Sequence, residues 1–123
     1  MKYIKTDKAP KVVGPYSQAI EANGFIFCSG QIGIDPEAGV LVEGIENQTK
    51  QVLNNLKQVL EAAGSQLDKI VKTTVFVTDM NDYAKMNEVY GNFFRDHFPV
   101  RSTVQVVKLP AGALIEIEAI AVK

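Results

Sequence analysis

Arg101, Glu116 and Glu118 are the residues of this chain whose setting calls for chemistry. Arg101, one of only two arginines, opens Arg101-Ser-Thr-Val-Gln-Val; the two glutamates sit in Ala113-Leu-Ile-Glu-Ile-Glu-Ala-Ile-Ala. Both runs read as strands, joined by a Pro-Ala-Gly turn. Strand side chains alternate between faces. In the second run Ala113, Ile115, Ile117, Ala119 and Ala121 share a small, apolar face that suits packing on helices. Leu114, Glu116, Glu118, Ile120 and Val122 share the other. A water-facing side does not usually carry Leu, Ile and Val around its charges, and a core-facing side does not carry two glutamates. The mixture suits a surface covered by another subunit, with a pocket left at the seam. Burying charge is costly unless it is paired or used. A salt bridge across the sheet, a neighbouring subunit or a ligand must offset it.

Each candidate residue admits a functional and a plainer role. The planar fork of Arg101 suits bidentate capture of a carboxylate and stays charged when partly buried; the plainer role is a structural ion pair. Glu116 is the candidate proton carrier or water-positioning group, because desolvation beside Leu114 and Ile120 would raise its pKa toward neutrality. Glu118 is assigned a salt bridge or a backbone hydrogen bond. Asn87 either reaches a pocket or satisfies a backbone carbonyl. The Tyr16 phenol either donates to a ligand or packs in the core with a hydrogen-bonded tip. At Ser29-Gly30 the missing side chain either lets a ligand approach the backbone or marks a bulge. Cys28 reads as an inert small hydrophobe. His97 reads as an exposed residue at a helix end. The chain shows no nucleophile elbow, phosphate loop or dinucleotide glycine fingerprint. One His and one Cys leave no metal-ligand spacing, so neither a metal nor a cofactor is expected.

The elements that must carry these residues follow from periodicity and turn chemistry. Residues 1–15 read as extended. A strand over 16–21 turns at Ala22-Asn-Gly24 into a return strand over 25–28, which ends at Ser29-Gly-Gln31. Asp35-Pro-Glu-Ala-Gly39 is a second turn. Val52, Leu53, Leu56, Val59, Leu60 and Ala63 follow one helical face, and Gly64 is placed to end the helix. Ile70 to Val77 reads as a strand, with Val71, Thr73, Val75 and Val77 on one face and Ile70, Lys72, Thr74 and Phe76 on the other. A second helix capped by Thr78 or Asp79 has Met80, Tyr83, Met86, Asn87, Tyr90, Phe93 and Phe94 as its inner stripe. The order β-β-(β)-α-β-α-β-β predicts an α+β fold, with two helices on one face of a mostly antiparallel sheet. The other sheet face would be bare in a monomer, and its apolar content predicts an oligomer.

A chain of 123 residues points to one domain over residues 1–123, large enough to bury a core without staples. The formal net charge of −1 and the scattered lysines argue against a nucleic-acid footprint, which shows as a basic patch or stripe. One cysteine excludes an intrachain disulfide. The start lacks an apolar signal core, and no apolar run approaches the ~20 residues that span a bilayer. The expectation is a reduced, cytoplasmic protein with no membrane or nucleic-acid partner.

A set of motifs runs the length of the chain. They are Ala9-Pro10 with Gly-Pro-Tyr-Ser-Gln-Ala (14–19), Cys-Ser-Gly-Gln-Ile (28–32), Gln-Val-Leu-Asn-Asn-Leu-Lys (51–57), Val-Lys-Thr-Thr-Val-Phe-Val (71–77), Met-Asn-Glu-Val-Tyr (86–90), Phe-Pro-Val-Arg-Ser-Thr-Val (98–104) and Ile-Glu-Ile-Glu-Ala-Ile-Ala (115–121). Each is weak alone; in this order they are highly specific. The chain resembles the RidA family of reactive intermediate deaminases, also called YjgF. The resemblance implies a chorismate-mutase-like fold and a homotrimer whose sheets form a central barrel, with three clefts between subunits. It implies cofactor-free hydrolysis of 2-imino acids, such as 2-iminobutanoate and 2-iminopropanoate, to 2-oxo acids and ammonia. Arg101 matches the family's carboxylate clamp, and Glu116 the residue that holds and activates water. Tyr16, Ser29, Gly30 and Asn87 match positions lining the cleft, Tyr16 among the catalytic ones. Thr103 stands where the family often has Cys; its backbone groups can still bind substrate, but thiol chemistry there is excluded. Two other roles are attached to such proteins. One is a non-catalytic small-molecule-binding regulator using the same clefts. The other is a ribonuclease or translation inhibitor, which the acidic balance and the single His oppose.

Overall fold

The computed structural model describes residues 1–123. Along the chain come β1 (Lys2–Ile4), β2 (Ala19–Ala22), β3 (Phe25–Ile32), β4 (Ile34–Asp35), β5 (Val40–Leu41) and α1 (Ile45–Ala62). They are followed by β6 (Ile70–Val77), α2 (Tyr83–Asn92), β7 (Val100–Gln105) and β8 (Ile115–Val122). The alternation in the last strand works as its residue types require. Ala113, Ile115, Ile117, Ala119 and Ala121 are all buried, while Leu114, Glu116, Ile120 and Val122 are half-buried and Glu118 is exposed. The apolar face meets α1, whose Val52, Leu53, Leu56, Val59 and Leu60 are fully buried. α1 ends as Gly64 predicts, with Gly64 N donating to Glu61 O at 3.1 Å and Ser65 N to Leu60 O at 2.9 Å. Both helices lie on one face of a mixed, largely antiparallel sheet, and no helix is long and apolar enough to cross a membrane.

The six-stranded sheet runs β1-β2-β3-β8-β6-β7. The two strands that the Pro-Ala-Gly turn joins are not neighbours in the sheet. β7 pairs in parallel with β6 at the sheet edge, and β8 inserts between β3 and β6, antiparallel to both. A parallel neighbour needs a crossover, and α2 supplies it between β6 and β7. Pro110–Gly112 forms a single 3-10 turn, a step in a longer return rather than a tight reversal. β2 and β3 do form the expected hairpin, with Asn23 and Gly24 at φ 52° and 80°, the left-handed pair that a two-residue turn needs.

Two bulges change the predicted faces. In β6 the register shifts between Ile70 and Lys72, so Ile70 is fully buried and Val71 is 40% exposed, the reverse of their simple alternation. In β3 the register shifts between Cys28 and Gln31, and the strand continues to Ile32. The first predicted strand is shorter than expected, because Tyr16–Gln18 are held irregularly. The Gln18 amide is buried among the amino-terminal residues, accepting from Thr6 N at 2.7 Å and donating to Thr6 O and Pro10 O. The residues read as merely extended include β1, which pairs with β2.

Buried polar groups on α1 fix the loops around the β8 start. Gln48 donates to Val42 O at 3.0 Å and accepts from Leu114 N at 2.8 Å. Asn55 donates to Ile32 O and Ile34 O, just beyond the β3 bulge. Satisfied buried amides specify a unique arrangement, because each costs free energy if its partner moves.

Candidate functional site

Arg101 lies opposite Thr73 in the β6–β7 ladder, and Thr73 lies opposite Ala119 of β8. Thr73 and Ala119 are buried on the helix side, so the guanidinium leaves the sheet on that side too. There α2 meets it. Its Cζ is 4.8 Å from the centre of the Tyr90 ring and 5.6 Å from that of Tyr83, a cation–π arrangement. Arg101 Nη2 donates to the Tyr83 hydroxyl at 2.8 Å. The Tyr90 hydroxyl is hydrogen-bonded to Thr73 Oγ1 at 2.7 Å. No carboxylate approaches Arg101; the only ion pair in the chain is Lys123–Glu21, at 3.2 Å. Arg101 is therefore not the structural ion pair of its plainer reading.

Two polar atoms on the elements around it are without partners. Asn87 Oδ1 and Thr103 Oγ1 are buried with no hydrogen-bond partner. Asn87 is one turn beyond Tyr83, and Thr103 shares the face of Arg101, opposite Val75. A hollow of about 330 Å³ opens here, lined by Asn87, Tyr90, Gly91, Phe98, Pro99 and Arg101. An unpaired cation with unused acceptors makes a receptor for a small acid that also carries donors. The Tyr83 phenol has its pKa lowered, first by the hydrogen bond from Asn87 and then by the Arg101 charge. The Tyr90 phenol is raised, mainly by burial.

Glu116 occupies the opposite face. Its ladder neighbours are Ile32 and Phe76, out of step with the fully buried Val75 and Val77. The carboxyl lies against Gly30. A Cβ at that glycine would sit 2.8 Å from Glu116 Cδ and 2.9 Å from Oε2, so a side chain there would displace the carboxyl. The β3 bulge creates this contact, since three residue steps from Cys28 to Gln31 oppose two on β8. The Glu116 pKa is raised, chiefly by burial and secondly by the charge of Glu118. Glu118 makes no salt bridge. Ser29 is tied down on both sides, donating Oγ to Ser17 O at 2.6 Å and N to Gln18 O at 3.0 Å. Tyr16 is 53% exposed and lines a hollow of about 490 Å³ with Ser17, Ile20, Phe27 and Ser29. A larger hollow, about 560 Å³, lies under the amino-terminal segment, away from Arg101, Asn87, Thr103 and Glu116.

The predicted site residues thus fall into two groups within one chain. Arg101, Asn87 and Thr103 gather on the helix side near the β7 edge. Glu116 and Gly30 touch on the open face, with Ser29 and Tyr16 beside the same strand. Arg101 and Glu116 do not converge within a single chain. Tyr83 and Tyr90, read as packing residues, turn out to bracket the guanidinium; their spacing with Asn87 (83, 87, 90) was the available signal, since it stacks all three on one helical face. Cys28 is buried, and burial pushes its thiol up to about 12. His97 lies beyond the end of α2, where its Nε2 donates to Ile70 O at 2.7 Å.

Residues 6–123 match the family model described as Endoribonuclease L-PSP. The chain is 56% identical over 121 residues to a RutC family protein of Pyrococcus horikoshii, covering 98% of this chain and 96% of that protein. It is 48% identical over 123 residues to the 2-iminobutanoate/2-iminopropanoate deaminase of Mus musculus, covering 99% and 91%. Among solved structures, E. coli TdcF with bound serine aligns with a TM-score of 0.97 at 42% identity, covering 100% of this chain and 99% of that one.

Proposed function

This chain belongs to the RidA/YjgF family, and from that premise we propose that it hydrolyses 2-imino acids, such as 2-iminobutanoate and 2-iminopropanoate, to 2-oxo acids and ammonia. One observation carries the reading: an Arg101 guanidinium with no carboxylate partner, in a hollow that Asn87 also lines, with unused polar atoms at Asn87 Oδ1 and, two residues along the same strand face, Thr103 Oγ1. An imino acid offers the matching groups, a carboxylate for the fork and an N–H for an acceptor. The mouse relative is named for this reaction. The E. coli relative holds serine, which carries the same kind of carboxylate.

In the proposed reaction Arg101 holds the carboxylate and orients the imine carbon. Glu116 takes a proton from water as the water oxygen bonds to that carbon, and the C=N π pair moves to nitrogen. Glu116 returns that proton to nitrogen; the carbinol proton, relayed through the same carboxylate, then follows it to nitrogen as the C=O forms, so the C–N bond breaks and nitrogen leaves as ammonia. Tyr16 borders the site as a hydrogen-bond donor, and Ser29, Gly30 and Thr103 present backbone groups. A raised carboxyl pKa suits a group that must both accept and return a proton near neutrality. No cofactor enters the scheme.

Because Arg101 and Glu116 leave opposite faces of one sheet, the proposed site takes its arginine half from one copy and its glutamate half from another. The open face supports this assembly: Phe25, Phe27, Val100 and Val104 are each more than 40% exposed there, an apolar surface that a partner would cover. Three copies closing their sheets into a chorismate-mutase-like barrel is the arrangement we propose.

A coupled assay tests the reaction. A dehydratase generates 2-iminobutanoate, and semicarbazide competes with this protein for it. Added protein should lower semicarbazone formation, and Arg101→Ala and Glu116→Gln should abolish the effect. Undiminished hydrolysis by Arg101→Ala would end the proposal. Tight binding of small amino or oxo acids without any turnover would move the reading to a regulatory binding protein. An RNA-cleaving role finds little support at this site, since the one His is engaged with Ile70 O outside both groups.

A further inference from the structure

The guanidinium of Arg101 is held in place by neutral groups alone. Its Cζ sits over the Tyr90 ring at 4.8 Å, which limits tilt but leaves rotation about the ring normal free. The Nη2–Tyr83 hydroxyl bond at 2.8 Å removes that freedom. A carboxylate would hold the group as well, but it would neutralise the charge and compete with substrate for the same fork. A phenol holds the cation while leaving the charge and the remaining N–H donors available. The spacing of Tyr83, Asn87 and Tyr90 along α2 places all three against Arg101 from a single rigid element.

We propose that Tyr83 is a positioning residue for the reaction: its hydroxyl fixes the rotation of the Arg101 guanidinium on the Tyr90 ring, so that the free N–H edge is presented to a carboxylate beside Asn87 Oδ1 and Thr103 Oγ1. The inference rests on the assignment of Arg101 as the carboxylate clamp. It predicts that the hydroxyl acts on substrate affinity through the arginine and adds little to folding. Tyr83 is only partly buried and lies outside the fully buried core.

Tyr83→Phe keeps the ring and deletes the hydroxyl. Titration calorimetry with 2-oxobutanoate, the reaction product, reads carboxylate binding without turnover. The dissociation constant should rise about tenfold, as expected for loss of one hydrogen bond to a charged group. KM for the imino acid should rise in step, with kcat changed less than about twofold and the thermal midpoint unmoved. In an Arg101→Lys background the same substitution should have little further effect, because the geometry it sets is already gone. Unchanged affinity in Tyr83→Phe would overturn the inference, as would a loss that tracks a lower thermal midpoint or persists undiminished beside Lys at 101. If Arg101→Ala itself binds 2-oxobutanoate like the wild type, the clamp assignment fails, and this inference with it. If Arg101→Ala loses binding while Tyr83→Phe keeps it, only the positioning role falls.

Discussion

The two halves of the candidate site solve opposite electrostatic problems. On the helix side the charge is permanent, and the protein's task is to hold it without cancelling it. Aromatic faces and a neutral hydroxyl do this around Arg101. On the open face the charge is conditional. Glu116 is desolvated and sits near Glu118, so its carboxyl holds its proton more readily than usual. In the proposed reaction the arginine must stay ionised to bind, whereas the glutamate must change state. The two lie on opposite sides of one sheet, so they do not pair within a single chain.

The largest effect should come from recombining the halves. Arg101→Ala and Glu116→Gln proteins, each inactive alone, are unfolded together in equal parts and refolded. Sites that draw one half from each copy should recover about a quarter of wild-type activity, the statistical share with both halves intact in a symmetric oligomer. No recovery would place both halves in one copy. Next in size is Gly30→Val. Its side chain lands on the Glu116 carboxyl, and displacement of about an ångström should lower kcat about 100-fold, with 2-oxobutanoate affinity nearly kept. An effect confined to KM would erase the division between the two halves. Thr103→Val then asks whether its free hydroxyl meets substrate. Losing one hydrogen bond, worth about 1 kcal/mol, should raise KM roughly fivefold with kcat steady. An unchanged KM would leave the orphan oxygen without a ligand.

The smallest effect is on stability. The raised pKa means that, between the ordinary value of 4.5 and the raised one, the folded chain binds more protons than the unfolded chain. Glu116 therefore lowers stability as pH rises through that window. Glu116→Gln should raise the thermal midpoint at neutral pH, by less than about 1 kcal/mol equivalent given solvent screening, and the gain should vanish below the ordinary carboxylate range. A gain of equal size at low pH would mean that the substitution acts by packing instead.

Local pattern settled much of this molecule. The α1 stripe, its glycine stop, the Asn23-Gly24 hairpin and the apolar face of β8 follow from periods of 3.6 and 2 and from turn chemistry, which neighbouring residues decide among themselves. The types of the key residues were equally legible, because an arginine and a glutamate set among β-branched residues need an explanation wherever they end up. Two things were not legible. The β3 and β6 bulges shift the face assignment by one residue, and nothing in alternation announces them. The placement of β7 beside β6, with β8 between β6 and β3, depends on which strand edges α2 and the Pro110 turn can reach. That order puts Arg101 and Glu116 on opposite faces. It also lays Tyr83 and Tyr90 against the guanidinium, contacts between residues 11 to 18 positions apart. Such proximities are set by how layers pack, a property of the whole sheet that no local window of residues contains.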